Sequence, residues 1–357
     1  MKQNWHLFCR VVDNFGDIGV SWRLATCLHA RGESVTLIVD DLARWQAIAG
    51  NDIPPAIAVI PWQEPLPPPA ECVVEAFGCG LPEAYRAAMP GRTRHWFVLD
   101  YFSAESWVPG CHGLSSPQAN GLTARFIYPS VLPGTGGLLR EQWFEEEQRA
   151  AAQAHGWRNR WQIPAPQGDA VFLFGYEQAV LHALLEHWAH APSPRTAYFA
   201  AGRLLDDARR QLRRPLREGQ TECWGNLRLI ALPFVPQREF DRLLWPNWLN
   251  IVRGEDSLTR ALWAGKPFIW QIYPTEDDAH WPKLEALMAA LSEGLPPAAK
   301  QAWRQVNLDW NAQSFHPAHW LAFEAAYPQL STHFAQIPQR LRTLPELSDT
   351  LLRLAQP

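Results

Sequence analysis

No apolar run in the 357 residues approaches the roughly 20 needed to cross a bilayer, and the opening MKQNWHLFCRVVDNFGD meets charge too early for the apolar stretch of a secretory signal. The protein is therefore expected in the cytoplasm, with no membrane partner. Charge of one sign is nowhere concentrated. The 32 basic and 36 acidic residues, net −4, are interspersed, so no basic stripe faces a phosphate backbone and nucleic acid is not an expected partner. Six cysteines (Cys9, Cys27, Cys72, Cys79, Cys111, Cys223) include no CxxC pair, which in a reducing compartment argues for buried thiols rather than disulfides or zinc. Asp-x-Asp, HExxH, a Walker loop and a complete GxGxxG are all missing, and Gly78-Cys79-Gly80 lacks the third glycine. The twelve histidines show no paired ligand spacing on a common helix face, so no metal site and no cofactor are expected.

What is present is enough apolar material, 47% of the chain, for more than one core, and the length favours two domains. The first forty residues read strand, turn, helix, strand: WHLFCRVV is apolar, VSWRLATCLHARG is helical with a glycine stop, and SVTLIVDD is β-branched. ECVVEAFG and RHWFVLDYF continue the pattern of strands that deliver loops to one sheet edge. The proline-dense PPAIAVIPWQEPLPPPAE reads as an exposed connection. From Glu141 to about Gly168 the chain is polar and helical, then breaks at IPAPQGD. VFLFGY, TAYFAAG, LRLIALPF, LNIVRG and PFIWQIYP then alternate with helical stretches such as QREFDRLL and SLTRALWAG. The expected organisation is α/β: a Rossmann-like domain over 1–150, a linker over 151–168, a second Rossmann-like domain over 169–325 and a helical tail over 326–357. Two doubly wound domains that face each other create a cleft at the carboxyl ends of both sheets.

Two turns carry chemistry. Asp13-Asn14-Phe15-Gly16-Asp17-Ile18-Gly19 lies between the first strand and the first helix, where glycines let the backbone approach a ligand and the helix start presents its amides. A carboxylate there serves either as a base or as a helix N-cap. Arg253-Gly254-Glu255-Asp256-Ser257 is a second strand-to-helix turn, readable either as a diphosphate cradle, with Ser257 donating and Arg253 adding charge, or as a capping box. Phe234-Val235-Pro236-Gln237 offers an aromatic face and an amide for a base. Tyr176 and Gln271 end neighbouring strands and are candidates for the same pocket. Gly134-Thr135-Gly136-Gly137 reads as a flexible interdomain loop able to close over ligand, and His280 near Glu276-Asp277-Asp278 as a border of the acceptor cleft or a solvated loop.

Taken together, VVDNFGDIGVSWRLA, EAFGCGLPE, DYFSAESW, LFGYE, LPFVPQREFDRLLW and RGEDSLTRALWAGKPFIWQIYP resemble the EarP family of protein-arginine rhamnosyltransferases that modify elongation factor P. The likeness runs in order from near residue 6 to beyond residue 284. It implies a GT-B fold and an inverting transfer of L-rhamnose from dTDP-β-L-rhamnose, held mainly by the second domain, to an acceptor arginine of elongation factor P held by the first. On that pattern Asp17 is the general base, Asp13 a supporting carboxylate and Glu255 a catalytic residue near the donor. Asn14, Phe15, Gly16, Tyr176, Phe234, Gln237, Arg253, Gly254, Asp256, Ser257 and Gln271 line the donor site. Asp100-Tyr101-Phe102 departs from an expected Glu-Tyr-Leu and bears on acceptor contacts. The competing readings are a GT-B transferase with another donor or acceptor, and a nucleotide-sugar-binding protein without activity. A dinucleotide oxidoreductase lacks its glycine fingerprint.

Overall fold

The computed structural model describes residues 2–11, 15–50, 53–54, 56–151 and 156–356. The first domain runs β1 (Asn4–Cys9), α1 (Gly16–Ala30), β2 (Ser34–Val39), α2 (Leu42–Ala49), β3 (Ala58–Pro61), β4 (Cys72–Ala76), α3 (Glu83–Ala88), β5 (His95–Leu99), α4 (Val108–Cys111), β6 (Ser115–Pro117) and β7 (Thr123–Ile127). Two helices follow, α5 (Phe144–Ala151) and α6 (Gly156–Arg160). The second domain holds β8 (Asp169–Leu173), α7 (Leu181–Ala189), β9 (Arg195–Phe199), α8 (Arg203–Leu212), β10 (Thr221–Trp224), β11 (Leu227–Ala231), α9 (Gln237–Leu244), β12 (Leu249–Arg253), α10 (Gly254–Ala264) and β13 (Phe268–Gln271). Helices close the chain: α11 (His280–Leu291), α12 (Pro297–Asn311), α13 (Pro317–Phe334), α14 (Ile337–Leu341) and α15 (Leu347–Leu354).

The first sheet has the order β3-β2-β1-β4-β5-β7-β6 and the second β10-β11-β9-β8-β12-β13. Pairing is parallel throughout except at the edges, where β6 and β10 run antiparallel to β7 and β11. In each sheet the winding reverses at the first strand: β1 lies between β2 and β4, and β8 between β9 and β12. Connections on either side of such a strand leave toward opposite faces and open a crevice at the carboxyl edge, the usual seat of a ligand in doubly wound sheets. The turns after β1, β8 and β12 all start at these points.

Local sequence accounts for the helices that frame the crevice. α1 buries Ile18, Trp22, Ala25 and Leu28 along one stripe against the first sheet. α10 buries Leu258, Ala261 and Leu262, and ends at Gly265, whose φ of +65° is a left-handed C-cap that glycine adopts without strain. The proline-dense stretch is not wholly a connection, since it contributes β3, an edge strand that ends at Pro61, where a missing ladder donor costs least.

The two cores do not divide the chain at one point. Phe102, Ala104, Leu138 and Phe144 belong to the core of the second domain. Leu347, Leu351 and Ala355 belong to that of the first, so α15 returns to cover the first sheet. Glu346 caps α15, accepting from Ser348 N at 3.0 Å and Asp349 N at 3.2 Å, while Arg31, the C-cap of α1, reaches Glu346 at 2.9 Å and also pairs with Asp349. The loop 134–137 forms the seat of this returning segment rather than a ligand cover: Thr135, Gly136 and Gly137 are buried, and a Cβ on Gly137 would stand 1.7 Å from the Pro345 carbonyl oxygen.

Candidate active site

A cleft of about 350 Å³ lies between the carboxyl edges of the two sheets. Phe15 and Gly16 of the first domain face Phe234, Gln237 and the turn Arg253–Ser257 of the second across it. Sequence reading had brought these residues together in one pocket, and the structure does so. Asp13 and Asn14 lie outside the described residues.

Asp17 sits in the first turn of α1, almost wholly buried. It is not the N-cap, a position held by Phe15 without a side-chain cap. The Tyr101 hydroxyl, from the segment after β5, donates to Asp17 Oδ1 over a long 3.4 Å. Burial first, then the charges of Asp17 and Glu255, push the Tyr101 phenol well above its ordinary range, so it remains a donor. Its ring stacks on Phe77 at 4.7 Å.

Glu255, on the first turn of α10, has both carboxylate oxygens engaged. Oε2 accepts from Phe102 N at 2.6 Å and Oε1 from Lys283 Nζ at 2.8 Å. Burial raises its proton affinity and Asp17 adds to the rise, while Lys283 and the Phe102 amide oppose it; the net direction is up. Phe102 spans the domains, its ring meeting Trp270 edge-on at 6.1 Å in the second core.

No side chain among the described residues caps α10, so its first N–H groups point toward the cleft without intrahelical partners. The capping-box alternative does not hold. The turn requires φ of +62° at Gly254, a conformation a residue with a Cβ adopts only under strain. The Ser257 hydroxyl donates back to the Arg253 carbonyl, so it is engaged within the turn rather than offered to a ligand. Arg253 is buried with its guanidinium over the rings of Phe174 and Tyr176, at 4.8 and 4.7 Å. Tyr176 and Gln271 stand behind the cleft wall: Tyr176 N donates to Gln271 Oε1 at 2.8 Å, and the tyrosine ring supports Arg253. Phe234 is 42% exposed, a large apolar ring left open, and meets Phe15 across the domain boundary with centroids 5.6 Å apart. His280 is buried at the start of α11, its Nδ1 accepting from Thr275 N at 3.1 Å, while residues 273–279 before it are exposed.

Beneath the cleft runs a charge network that sequence reading missed. Arg23 of α1 donates through Nε to Asp256 Oδ1 at 2.8 Å, pairs with Glu141 and reaches Gln237 O at 3.3 Å. Glu141 also meets Arg260 at 2.9 Å, and Arg260 grips Asp241 through two bonds of 2.6 and 2.8 Å. Burial alone would raise Glu141, but Arg260 and Arg23 outweigh it and hold the carboxyl at about 2. Asp256 and Gln237 are thus committed: Gln237 Nε2 donates to Asp256 Oδ2 at 3.0 Å, and both brace the floor beneath α1. Gly19 permits this approach, since a Cβ there would lie 2.9 Å from Gln237 Nε2. A charged residue in the buried stripe of α1 was the one available signal for Arg23. Away from the cleft, Asp309, His316 and His319 come together, with His319 Nδ1 at 2.6 Å from Asp309 Oδ2, a histidine spacing the sequence reading overlooked.

Two facing doubly wound sheets, with a buried carboxylate behind one wall of the cleft and an uncapped helix start at the other, fit a glycosyltransferase of the GT-B type. The spinosyn forosaminyltransferase SpnP superposes over 99% of the chain and 98% of its own length with a TM-score of 0.51 at 12% identity, a likeness of fold alone. The family profile described as elongation factor P (EF-P) rhamnosyltransferase EarP matches residues 5–356, and the chain belongs to that family. A protein-arginine rhamnosyltransferase of Pseudomonas putida is 40% identical over 372 aligned residues, covering 93% of this chain and 97% of its own. A solved structure described as the structural basis for EarP-mediated arginine glycosylation of EF-P aligns over 99% of this chain and 98% of that one, with a TM-score of 0.72 at 30% identity.

Proposed function

We propose that the enzyme transfers L-rhamnose from dTDP-β-L-rhamnose to an arginine side chain of elongation factor P, inverting the anomeric carbon and using no cofactor beyond the donor. The observation that carries this reading is one cleft lined by Phe15 and Gly16 of the first domain, directly before the buried Asp17, and by the Arg253–Ser257 turn of the second, with the Asp17 charge felt at Glu255. Family membership and relatives named for arginine rhamnosylation support the acceptor and the sugar.

An arginine is protonated below about pH 12 and its lone pairs are delocalised, so it is a poor nucleophile in water. In the proposed step one guanidinium nitrogen attacks the anomeric carbon from the face opposite the diphosphate. The C–N bond forms as the C–O bond breaks, Asp17 accepts the proton, and dTDP leaves with the electron pair. The first amides of α10, with Arg253 beside them, stabilise the developing charge. Phe234 and Phe15 supply an aromatic wall for the base. On the family pattern Asp13 supports the base and Asn14 belongs to the donor site; both lie outside the described residues.

The test is intact-mass analysis of elongation factor P after incubation with this protein and dTDP-rhamnose, with an acceptor-arginine variant as control. A single deoxyhexose increment absent from the control is expected. Donor binding without an increment overturns the acceptor, and absence of donor binding overturns the sugar nucleotide.

A further inference from the structure

Glu255 reaches into the cleft from a helix start, yet neither of its oxygens is open: one accepts from the first domain through Phe102 N, the other from Lys283 on α11. Lys283 is the fourth residue of α11, which follows the exposed segment 273–279, and its ammonium also lies 5.8 Å from the centroid of the Tyr101 ring. One cation therefore touches the carboxylate of the second domain and the ring whose hydroxyl holds Asp17 of the first. Among the described residues, the charged and titratable groups around Glu255 are few. Lys283 approaches from α11, Asp17 from α1 and Tyr101 from the segment after β5, while Arg253 and Asp256 flank it on its own turn. The side chains of the pair are 21% and 18% exposed, so water screens the contact only in part.

The geometry points to Lys283 as a positioning residue that keeps Glu255 ionised and aimed at the reacting centre. This rests on the proposed transfer in so far as Glu255 serves it. Glu255 lines the cleft and Asp17 lies close enough for its charge to be felt there, and a cationic acceptor is attracted most strongly when both are ionised. Without the ammonium, burial and the neighbouring Asp17 charge are opposed only by the Phe102 amide, and Glu255 holds its proton more tightly. The hydrogen bond from Phe102 N would remain, so the helix turn stays in place while its carboxylate loses its cation.

The test compares wild type, Lys283→Met and Lys283→Arg by two readouts. The first is the pH titration of the Glu255 side-chain carboxyl carbon by NMR, assigned with Glu255→Gln. It should move up by about one pH unit or more in Lys283→Met and stay near the wild-type midpoint in Lys283→Arg. The second is the pH–rate profile of transfer to elongation factor P. In Lys283→Met the acid limb should move up by the same interval, kcat at neutral pH should fall roughly tenfold or more, and the donor Kd should change by less than about threefold, with partial recovery at higher pH. An unchanged titration in a folded Lys283→Met protein overturns the proposal, as does a rate loss without any movement of the acid limb. If the wild type transfers no sugar, the functional reading fails, while the titration still decides the role of Lys283.

Discussion

Asp17 and His6 are both buried, and opposite surroundings give them opposite consequences. Asp17 lies directly behind the Phe15–Gly16 wall of the cleft with a phenol donating to it, so its removal should leave the donor site intact. Asp17→Asn is expected to lower kcat by about 10²-fold or more while the donor Kd stays within a few-fold, measured by steady-state transfer alongside calorimetric binding. His6 lies inside the first sheet with its Nδ1 2.7 Å from the Tyr85 hydroxyl, and burial lowers it to about 4. A histidine depressed in the folded state binds fewer protons there than when unfolded. It therefore contributes stability above about pH 6.5 that is lost as pH falls toward 4. Between pH 7 and 5 that loss is about 2 kcal/mol, readable as a falling urea midpoint that flattens in His6→Gln.

Among the elements, the contact of α1 with α10 binds the two domains, and it depends on Arg23. Removing that guanidinium leaves Glu141 to Arg260 alone and Asp256 to the Gln237 amide, and losing one member of a buried ionic group costs about 3–5 kcal/mol. Arg23→Met should lower the denaturant midpoint accordingly and loosen donor binding as the floor under Gln237 shifts. The strands β1, β2, β4, β5, β8, β9, β11, β12 and β13 were legible because each is a β-branched or aromatic run that stops at a turn residue. β3, β6, β7 and β10 were not. β3, β6 and β10 lie at sheet edges where few residues need be apolar, and proline sits in β3 and β6. β7 is a short run with Arg125 at its centre. The site divides in the same way. Turns after strands announced Asp17 and Arg253 to Ser257, whereas Arg23, Glu141 and Lys283 act through partners up to 233 positions away, a distance no local pattern spans.

At the scale of the molecule, the chain crosses between its two cores more than once, and α15 is the final crossing. Its Leu351 is fully buried in the first core, so Leu351→Ala should cost about 2–5 kcal/mol. Because α15 packs into the core of the first sheet, differential scanning calorimetry should place the loss in the transition of the first domain and leave that of the second nearly unchanged.

The return of α15 also sets an order of events during synthesis. Gln3 beside β1 donates to the Ala355 carbonyl at 2.9 Å, joining positions 352 residues apart. Domains ordinarily mature in the order in which they leave the ribosome. Here the first sheet shares its core with α15, which is made after the second sheet, and the second sheet, whose strands lie within 169–271, is free to close around its own core before the first is sealed.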